Sequence, residues 1–201
     1  HVVRVEVTDR TDKWLQPRGK QVSEPGGIWY TAVTGIWQTV WMEPVPSSHV
    51  NSYAAVADLE AGVLNVTLDA DLCEGDVCEV VLLDDGKPVS KAQGREVSLP
   101  VPDAKLWSPD SPYLYGLKIS VLRDGETVDQ VEGYAAMRTI SYAEGEDGHK
   151  RMLLNGEPLF QYGPLDQGWW PDGLYTAPSD EALAFDIEKT KEMGFNLIRK
   201  H

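Results

Sequence analysis

Alternation of apolar and polar side chains dominates the chain, and it changes character three times. Near the start Val3, Val5 and Val7 fall on one face and Arg4, Glu6 and Thr8 on the other, which predicts a strand. Gly26-Gly27 supplies a turn. From Ile36 to Val45 the pattern places Ile36, Val40 and Met42 on one side and Trp37 and Trp41 on the other, with Pro44 and Pro46 closing the strand where a ladder ends. This first segment, residues 1–46, is too short for a domain and reads as the last strands of a β-domain.

The second segment, residues 47–140, has the most complete pattern. Leu64, Val66, Leu68, Ala70 and Leu72 alternate with Asn65, Thr67, Asp69 and Asp71, which describes a strand with one wet face. Val77 to Leu83 follows after Glu74-Gly75, and Asp85-Gly86 marks another turn. Val97 to Val101 is a further short strand. Leu117, Ile119 and Val121 alternate with Lys118 and Ser120 before Asp124-Gly125 turns the chain into Thr127 to Tyr134. Short strands at this spacing predict a mainly β protein, with a sandwich of seven strands or so of the immunoglobulin type.

Residues 141–201 switch period. Met152-Leu153-Leu154, Asn155-Gly156 and Leu159 to Tyr162 read as a hairpin feeding a buried strand. A loop rich in Trp, Gly and Pro runs from Gly163 to Pro178. Ser179 is placed to cap a helix with Asp180 and Glu181 in its first turn, and Leu183, Ile187 and Thr190 follow at helical spacing. Gly194 stands where a helix C′ residue is wanted, and Phe195 to Ile198 reads as a second strand. Strand, loop, helix and strand in that order predict the first βαβ part of an incomplete barrel. The chain opens at His1 on one strand pattern and closes at His201 on the heels of another, so both ends read as cuts through structure.

Composition narrows the partners. Eighteen basic residues against thirty-two acidic ones give a net charge of −14, a field that repels phosphate backbones and anionic lipid. Neither nucleic acid nor a membrane surface is expected as a partner, and no apolar run approaches the roughly 20 residues of a membrane span. Forty-two per cent apolar content with seven Trp and eight Tyr among 201 residues fits a packed globular fold rather than a disordered chain. Cys73 and Cys78 flank Glu74 to Val77 and read as two thiols on either side of a hairpin turn, with a cross-strand disulfide as the alternative. His49 and His149 have no ligand spacing, so no metal or cofactor is expected.

Several longer motifs are familiar in this order. Gly27-Ile28-Trp29-Tyr30 through Trp41 resembles the last strands of the sugar-binding-like jelly roll of glycoside hydrolase family 2, the β-galactosidase and β-glucuronidase family. Leu106-Trp107-Ser108-Pro109-Asp110-Ser111-Pro112-Tyr113-Leu114-Tyr115 resembles the signature of that family's immunoglobulin-like domain. Met137-Arg138-Thr139-Ile140 is similar to the exit into its (β/α)8 catalytic barrel. Leu153-Leu154-Asn155-Gly156-Glu157-Pro158 resembles the approach to barrel strand 1, and Gly194-Phe195-Asn196-Leu197-Ile198-Arg199 resembles strand 2. Departures are present too. Ala136 stands where Gly is common, Arg199 is followed directly by Lys200-His201, and the strand 1 loop reads Leu165-Asp166-Gln167-Gly168-Trp169-Trp170. These bear on sugar specificity rather than on fold.

The resemblance implies a parent enzyme, a retaining exo-β-glycosidase of β-galactosidase-like type, acting on a carbohydrate substrate through two carboxyl groups about 5–5.5 Å apart. Both are Glu residues of later barrel strands, so this segment is expected to hold no catalytic residue and to be inactive alone. It also implies substrate-binding roles for Asp166, Trp169, Trp170, Arg199 and His201 at the C-terminal ends of the barrel strands. Asp166 would accept hydrogen bonds from sugar hydroxyls, Arg199 would hold the nucleophile ionised, and the tryptophans would stack on a pyranose ring. Structural readings stand beside these: an ion pair for Arg199, and a loop pinned to its neighbour for Trp169 and Trp170. The alternative function is a non-catalytic carbohydrate-binding or structural β-sandwich module. An incomplete barrel with open strand edges also invites self-association.

Overall fold

A computed structural model describes residues 2–201; His1 lies outside them. The elements are, in chain order, β1 (Gln21–Val22), β2 (Tyr30–Thr31), β3 (His49–Asp58), β4 (Val63–Asp71), β5 (Val77–Asp84), β6 (Lys87–Gln93) and β7 (Glu96–Pro100). After these come β8 (Tyr115–Arg123), β9 (Glu126–Ala135), β10 (Ile140–Glu144), β11 (Lys150–Leu154), β12 (Glu157–Pro158), β13 (Leu165–Asp166), α1 (Asp180–Glu192) and β14 (Arg199–Lys200). The protein is mainly β. Its chain divides into two compact units, one spanning Glu43–Phe160, the other joining the N-terminal 42 residues to Gln161–His201.

The first unit is a sandwich. One sheet has the order β3-β4-β7 and the other β6-β5-β8-β9, all pairs antiparallel. Alternation decides which faces meet: Leu64, Val66, Leu68 and Ala70 of β4 are buried while Asn65, Thr67, Asp69 and Asp71 between them are exposed. They share one core with Val80 and Leu82 of β5 and with Leu117, Ile119 and Val121 of β8. Burial of a side chain of that size contributes about 1.5–3 kcal/mol, so this face selects the register. The outer strands β3 and β9 are stitched by side chains. Tyr53 Oη donates to the Tyr134 carbonyl at 3.2 Å and accepts from its N–H at 3.1 Å, and the Val50 N–H donates to Asp129 Oδ2 at 3.0 Å. Gly133 leaves the space that the Tyr53 ring fills.

The link from β4 to β5 corrects an expectation. Cys73 and Cys78 do not flank a hairpin, because β4 and β5 belong to different sheets. Both are free thiols, Cys78 buried in the core and Cys73 exposed. The crossing is held by Asp76, whose side chain is 0 % exposed. Its carboxylate accepts from Arg123 Nε at 2.9 Å, Arg123 Nη2 at 2.7 Å and the Ser48 hydroxyl. The Arg123 guanidinium, followed by the Ser48 hydroxyl, holds Asp76 down at about 2.

The Trp107 motif and the Met137-Arg138 motif meet in this unit. Leu106 bridges Met137, the Trp107 N–H donates to the Met137 carbonyl at 3.0 Å, and Arg138 lies 4.4 Å over the Trp107 ring. Asn155, at φ 53°, ties the next hairpin to them: its Nδ2 donates to the Trp107 carbonyl at 3.0 Å and its Oδ1 accepts from the Thr139 N–H at 3.0 Å. That hairpin is β10-β11-β12, and Leu159 to Tyr162 beyond it is not a strand.

The alternating runs near Val3 to Val7 and Ile36 to Val45 are not strands either. Val3 is 86 % exposed, and a strand without a partner leaves its backbone groups unpaired and its apolar face wet. Among the described residues of this region only the short parallel pair β1-β2 forms. The helix follows the expected caps. Ser179 Oγ accepts from the Ala182 N–H at 3.2 Å, and Gly194 takes φ 86° beyond Met193. No helix among the described residues is long and apolar enough to cross a membrane.

Candidate functional site

The second unit contains a parallel pair with a helix between its strands, β13-α1-β14, in the register Leu165↔Arg199 and Asp166↔Lys200. Hydrogen bonds extend the ladder beyond these strands. The Asn196 N–H donates to the Tyr162 carbonyl at 3.0 Å, the Arg199 N–H to Pro164 at 3.0 Å and the His201 N–H to Asp166 at 2.8 Å. One residue separates 162 from 164 while two separate 196 from 199, so the second strand bulges at Leu197-Ile198. Gly163 faces that bulge, where a Cβ would run into the Leu197 carbonyl. The strands expected at Leu159 to Tyr162 and Phe195 to Ile198 are thus displaced toward the C-terminus. The bulge and the prolines at 158 and 164 keep the regular ladder from starting earlier.

This register sorts the candidate residues. Asp166 and Lys200 share one face, and Lys200 Nζ donates to Asp166 Oδ2 at 2.7 Å. Asp166 Oδ1 accepts from the Gly168 N–H at 2.6 Å. The Lys200 ammonium, helped by that N–H, lowers the Asp166 pKa and keeps it a carboxylate. Arg199 pairs with Leu165, is exposed, and by strand alternation points to the opposite face from Asp166. Asp166 and Arg199 are not brought together.

The two tryptophans are also separated in role. Trp169 stacks on Tyr30 with centroids 4.7 Å apart at 18°, and Tyr175 meets it edge-on at 5.0 Å. Trp170 is pinned through its backbone by a two-way bridge to Leu174 at 2.8 and 3.2 Å. Leu174 at φ 56° and Gly173, whose Cβ would strike the Thr176 carbonyl, make the tight turn that projects Tyr175. Tyr175 in turn receives a hydrogen bond from Gln21 Nε2 at 3.0 Å and lies 5.3 Å from Trp37 at 41°.

Two open spaces result. A cleft of about 410 Å³ lies at the carboxyl ends of β13 and β14, bordered by Trp37, Trp170, Tyr175, Thr176, Lys200 and His201. A crevice of about 680 Å³ lies between the strand pair and α1, bordered by Asp166, Trp169, Phe185, Lys189 and Ile198. Trp170 and His201 therefore border the first, Asp166 and Trp169 the second, and Arg199 neither. Lys200 and Tyr175 escaped the sequence reading, which gives Trp37 to core or interdomain packing rather than to a site, whereas it borders the first cleft. Only Lys200 had a usable signal, because a parallel register that sets Leu165 beside Arg199 also sets Asp166 beside Lys200. No group of three or more His, Cys, Asp or Glu among the described residues is arranged to hold a metal ion.

Residues 39–138 match the family model described as glycosyl hydrolases family 2. A β-galactosidase from Thermoanaerobacter pseudethanolicus is 25 % identical over 99 % of this chain and 27 % of its own length. A β-galactosidase from Lactococcus lactis is 27 % identical over 83 % of this chain and 17 % of its own, and rat β-glucuronidase is 26 % identical over 77 % and 24 %. The crystal structure of Ruminococcus gnavus β-glucuronidase shares the fold at a TM-score of 0.68 and 23 % identity, over 76 % of this chain and 25 % of that one. The chain thus spans between 17 % and 27 % of the length of these curated relatives.

Proposed function

Because the chain belongs, through residues 39–138, to glycoside hydrolase family 2, we propose that it is a non-catalytic part of a retaining exo-β-glycosidase, β-galactosidase-like in substrate. In this reading residues 1–46 end a jelly roll, 47–140 are the immunoglobulin-like support, and 141–201 begin a (β/α)8 barrel. One observation carries it: β13 and β14 run parallel around α1, with a cleft outside their carboxyl ends, where barrel enzymes place their sites. The proton donor and nucleophile come from later barrel strands, so the 201 residues alone hydrolyse nothing. Phe185 and Ile187 of α1 and Met193 at its C-cap are exposed, as suits a helix whose neighbours belong to the rest of a barrel, and these surfaces favour self-association in isolation.

A panel of chromogenic galactoside, glucuronide, mannoside and glucoside, run on this chain and on a longer form that includes a complete barrel, tests the reading. Hydrolysis by the longer form alone supports it and names the sugar. Hydrolysis by the 201 residues overturns the placement of the catalytic pair, and silence in both forms favours a carbohydrate-binding module.

A further inference from the structure

We propose that Asn155 is a site of spontaneous covalent modification. The fold keeps its amide inert while it bridges Trp107 and Thr139, and its conversion to aspartate and isoaspartate unfastens the β10-β11-β12 hairpin from the sandwich for good.

Asn155-Gly156 is the one Asn-Gly pair in the sequence, and it forms the two-residue turn between β11 and β12, where Leu154 pairs with Glu157. Both residues have positive φ, 53° and 85°, as a tight turn of this kind requires. A β-carbon on Gly156 would meet nothing within 4 Å, so its backbone nitrogen stands at an open, unhindered tip. Attack by that nitrogen on Asn155 Cγ closes a cyclic imide.

The chemistry needs only water. The Gly156 nitrogen gives up its proton and bonds to Asn155 Cγ; the Cγ–Nδ2 bond breaks, and Nδ2 leaves as ammonia. Water then opens the imide at one of its two carbonyl carbons. Opening at Cγ gives aspartate, and opening at the main-chain carbonyl gives isoaspartate. In sum an amide and water become a carboxylic acid and ammonia, with nothing oxidised. A cleft of about 590 Å³ bordered by Asp58, Glu60, Thr139 and Asn155 lets water reach the turn.

The native contacts hold this reaction off. Asn155 Nδ2 donates to the Trp107 carbonyl and Oδ1 accepts from the Thr139 N–H, each at 3.0 Å, so the carboxamide swings toward Gly156 only when both bonds part. Two hydrogen bonds of ordinary net strength suppress such an opening roughly thirtyfold.

The product does not restore the bridge. A carboxylate has no N–H for the Trp107 carbonyl, so two oxygens face each other there, and its charge enters a cleft that already carries Asp58 and Glu60. Isoaspartate also lengthens the main chain by a carbon, which disturbs the turn that sets Leu154 against Glu157. The damage falls where the Trp107 and Met137-Arg138 motifs meet.

The test follows the Asn155 peptide of the full 201-residue chain by mass spectrometry in mildly alkaline buffer, native and urea-unfolded side by side. Isoaspartate is scored by enzymatic methylation. The unfolded chain should convert to both acids at a rate that rises with pH, because the attacking nitrogen must lose its proton. The native chain should convert roughly thirtyfold more slowly. Asn155→Asp, which carries one product, should quicken amide exchange across β10 and β11 about tenfold while β4 and β8 exchange as in wild type. Equal conversion rates in the two states overturn the proposal, as do no conversion in urea, aspartate without isoaspartate, or wild-type exchange in Asn155→Asp. The rate comparison uses the natural sequence, so it decides even where the variant fails to fold.

Discussion

The indole of Trp169 lies on the ring of Tyr30, centroids 4.7 Å apart and planes 18° from parallel, so residues distant in sequence form one stack. Tyr175 closes its edge, which makes Trp169 a joint between the N-terminal segment and the loop after β13. Trp169→Ala should therefore destabilise this unit by about 1–3 kcal/mol, with Trp169→Phe losing much less. Thermal unfolding followed by near-ultraviolet circular dichroism reads the effect. An unchanged unfolding profile combined with lost sugar affinity would show that the indole is a ligand contact after all.

Gly163 faces the Leu197 carbonyl where the second strand bulges. Gly163→Ala must push the strands apart, an overpacking cost of about 1–3 kcal/mol. Amide exchange at Arg199 and His201, whose N–H groups donate to Pro164 and Asp166, should quicken by tenfold or more, on the order expected for that cost. Exchange at wild-type rates would mean that the strand pair tolerates a side chain there.

Asp76 has a pKa lowered from 3.8 to about 2, first by Arg123 and then by Ser48. A carboxylate depressed by folding stabilises the native state above its unfolded pKa, and that contribution disappears as pH falls through the folded value. Stability of the sandwich should thus decline between pH 4 and pH 2, the window set by those two values. Asp76→Asn should lower Tm at pH 7 by on the order of 10 °C and approach wild type at the acid end. A constant gap between the two proteins across that window would rule out Asp76 as the titrating group.

Asn155 holds φ 53° and spends both ends of its amide on Trp107 and Thr139. Asn155→Ala loses both bonds and puts at φ 53° a residue that tolerates left-handed backbone less well than Asn, a cost of about 2–4 kcal/mol. Asn155→Gly restores the backbone freedom without the bonds and should recover part of it. Urea denaturation distinguishes them; equal midpoints would mean that the backbone conformation contributes nothing.

Much of the sandwich was legible in the chain because one face of each strand is buried. Leu64 to Ala70 and Leu117 to Val121 alternate with period two, and a one-residue slip would wet the whole core face, so pattern and register imply each other. The Ser179 cap and Gly194 stop were legible for a similar reason, since helix ends are satisfied locally.

Partnership was not legible. Val3 to Val7 and Ile36 to Val45 carry the same alternation, yet a strand exists only where another backbone completes its hydrogen bonds. Glu74-Gly75 reads as a hairpin turn by residue type, while the buried Asp76-Arg123-Ser48 contact sends the chain to the other sheet. The candidate site divides along the same line. Sequence placed Asp166, Trp170, Arg199 and His201 in the stretches that follow the two expected strands, although the ladder itself forms at Leu165–Asp166 and Arg199–Lys200. Only tertiary structure decided that Asp166 faces Lys200 rather than Arg199, that Trp169 is taken up by Tyr30, and that Trp37 reaches the cleft. Those outcomes depend on which distant segments meet, and no local pattern records that.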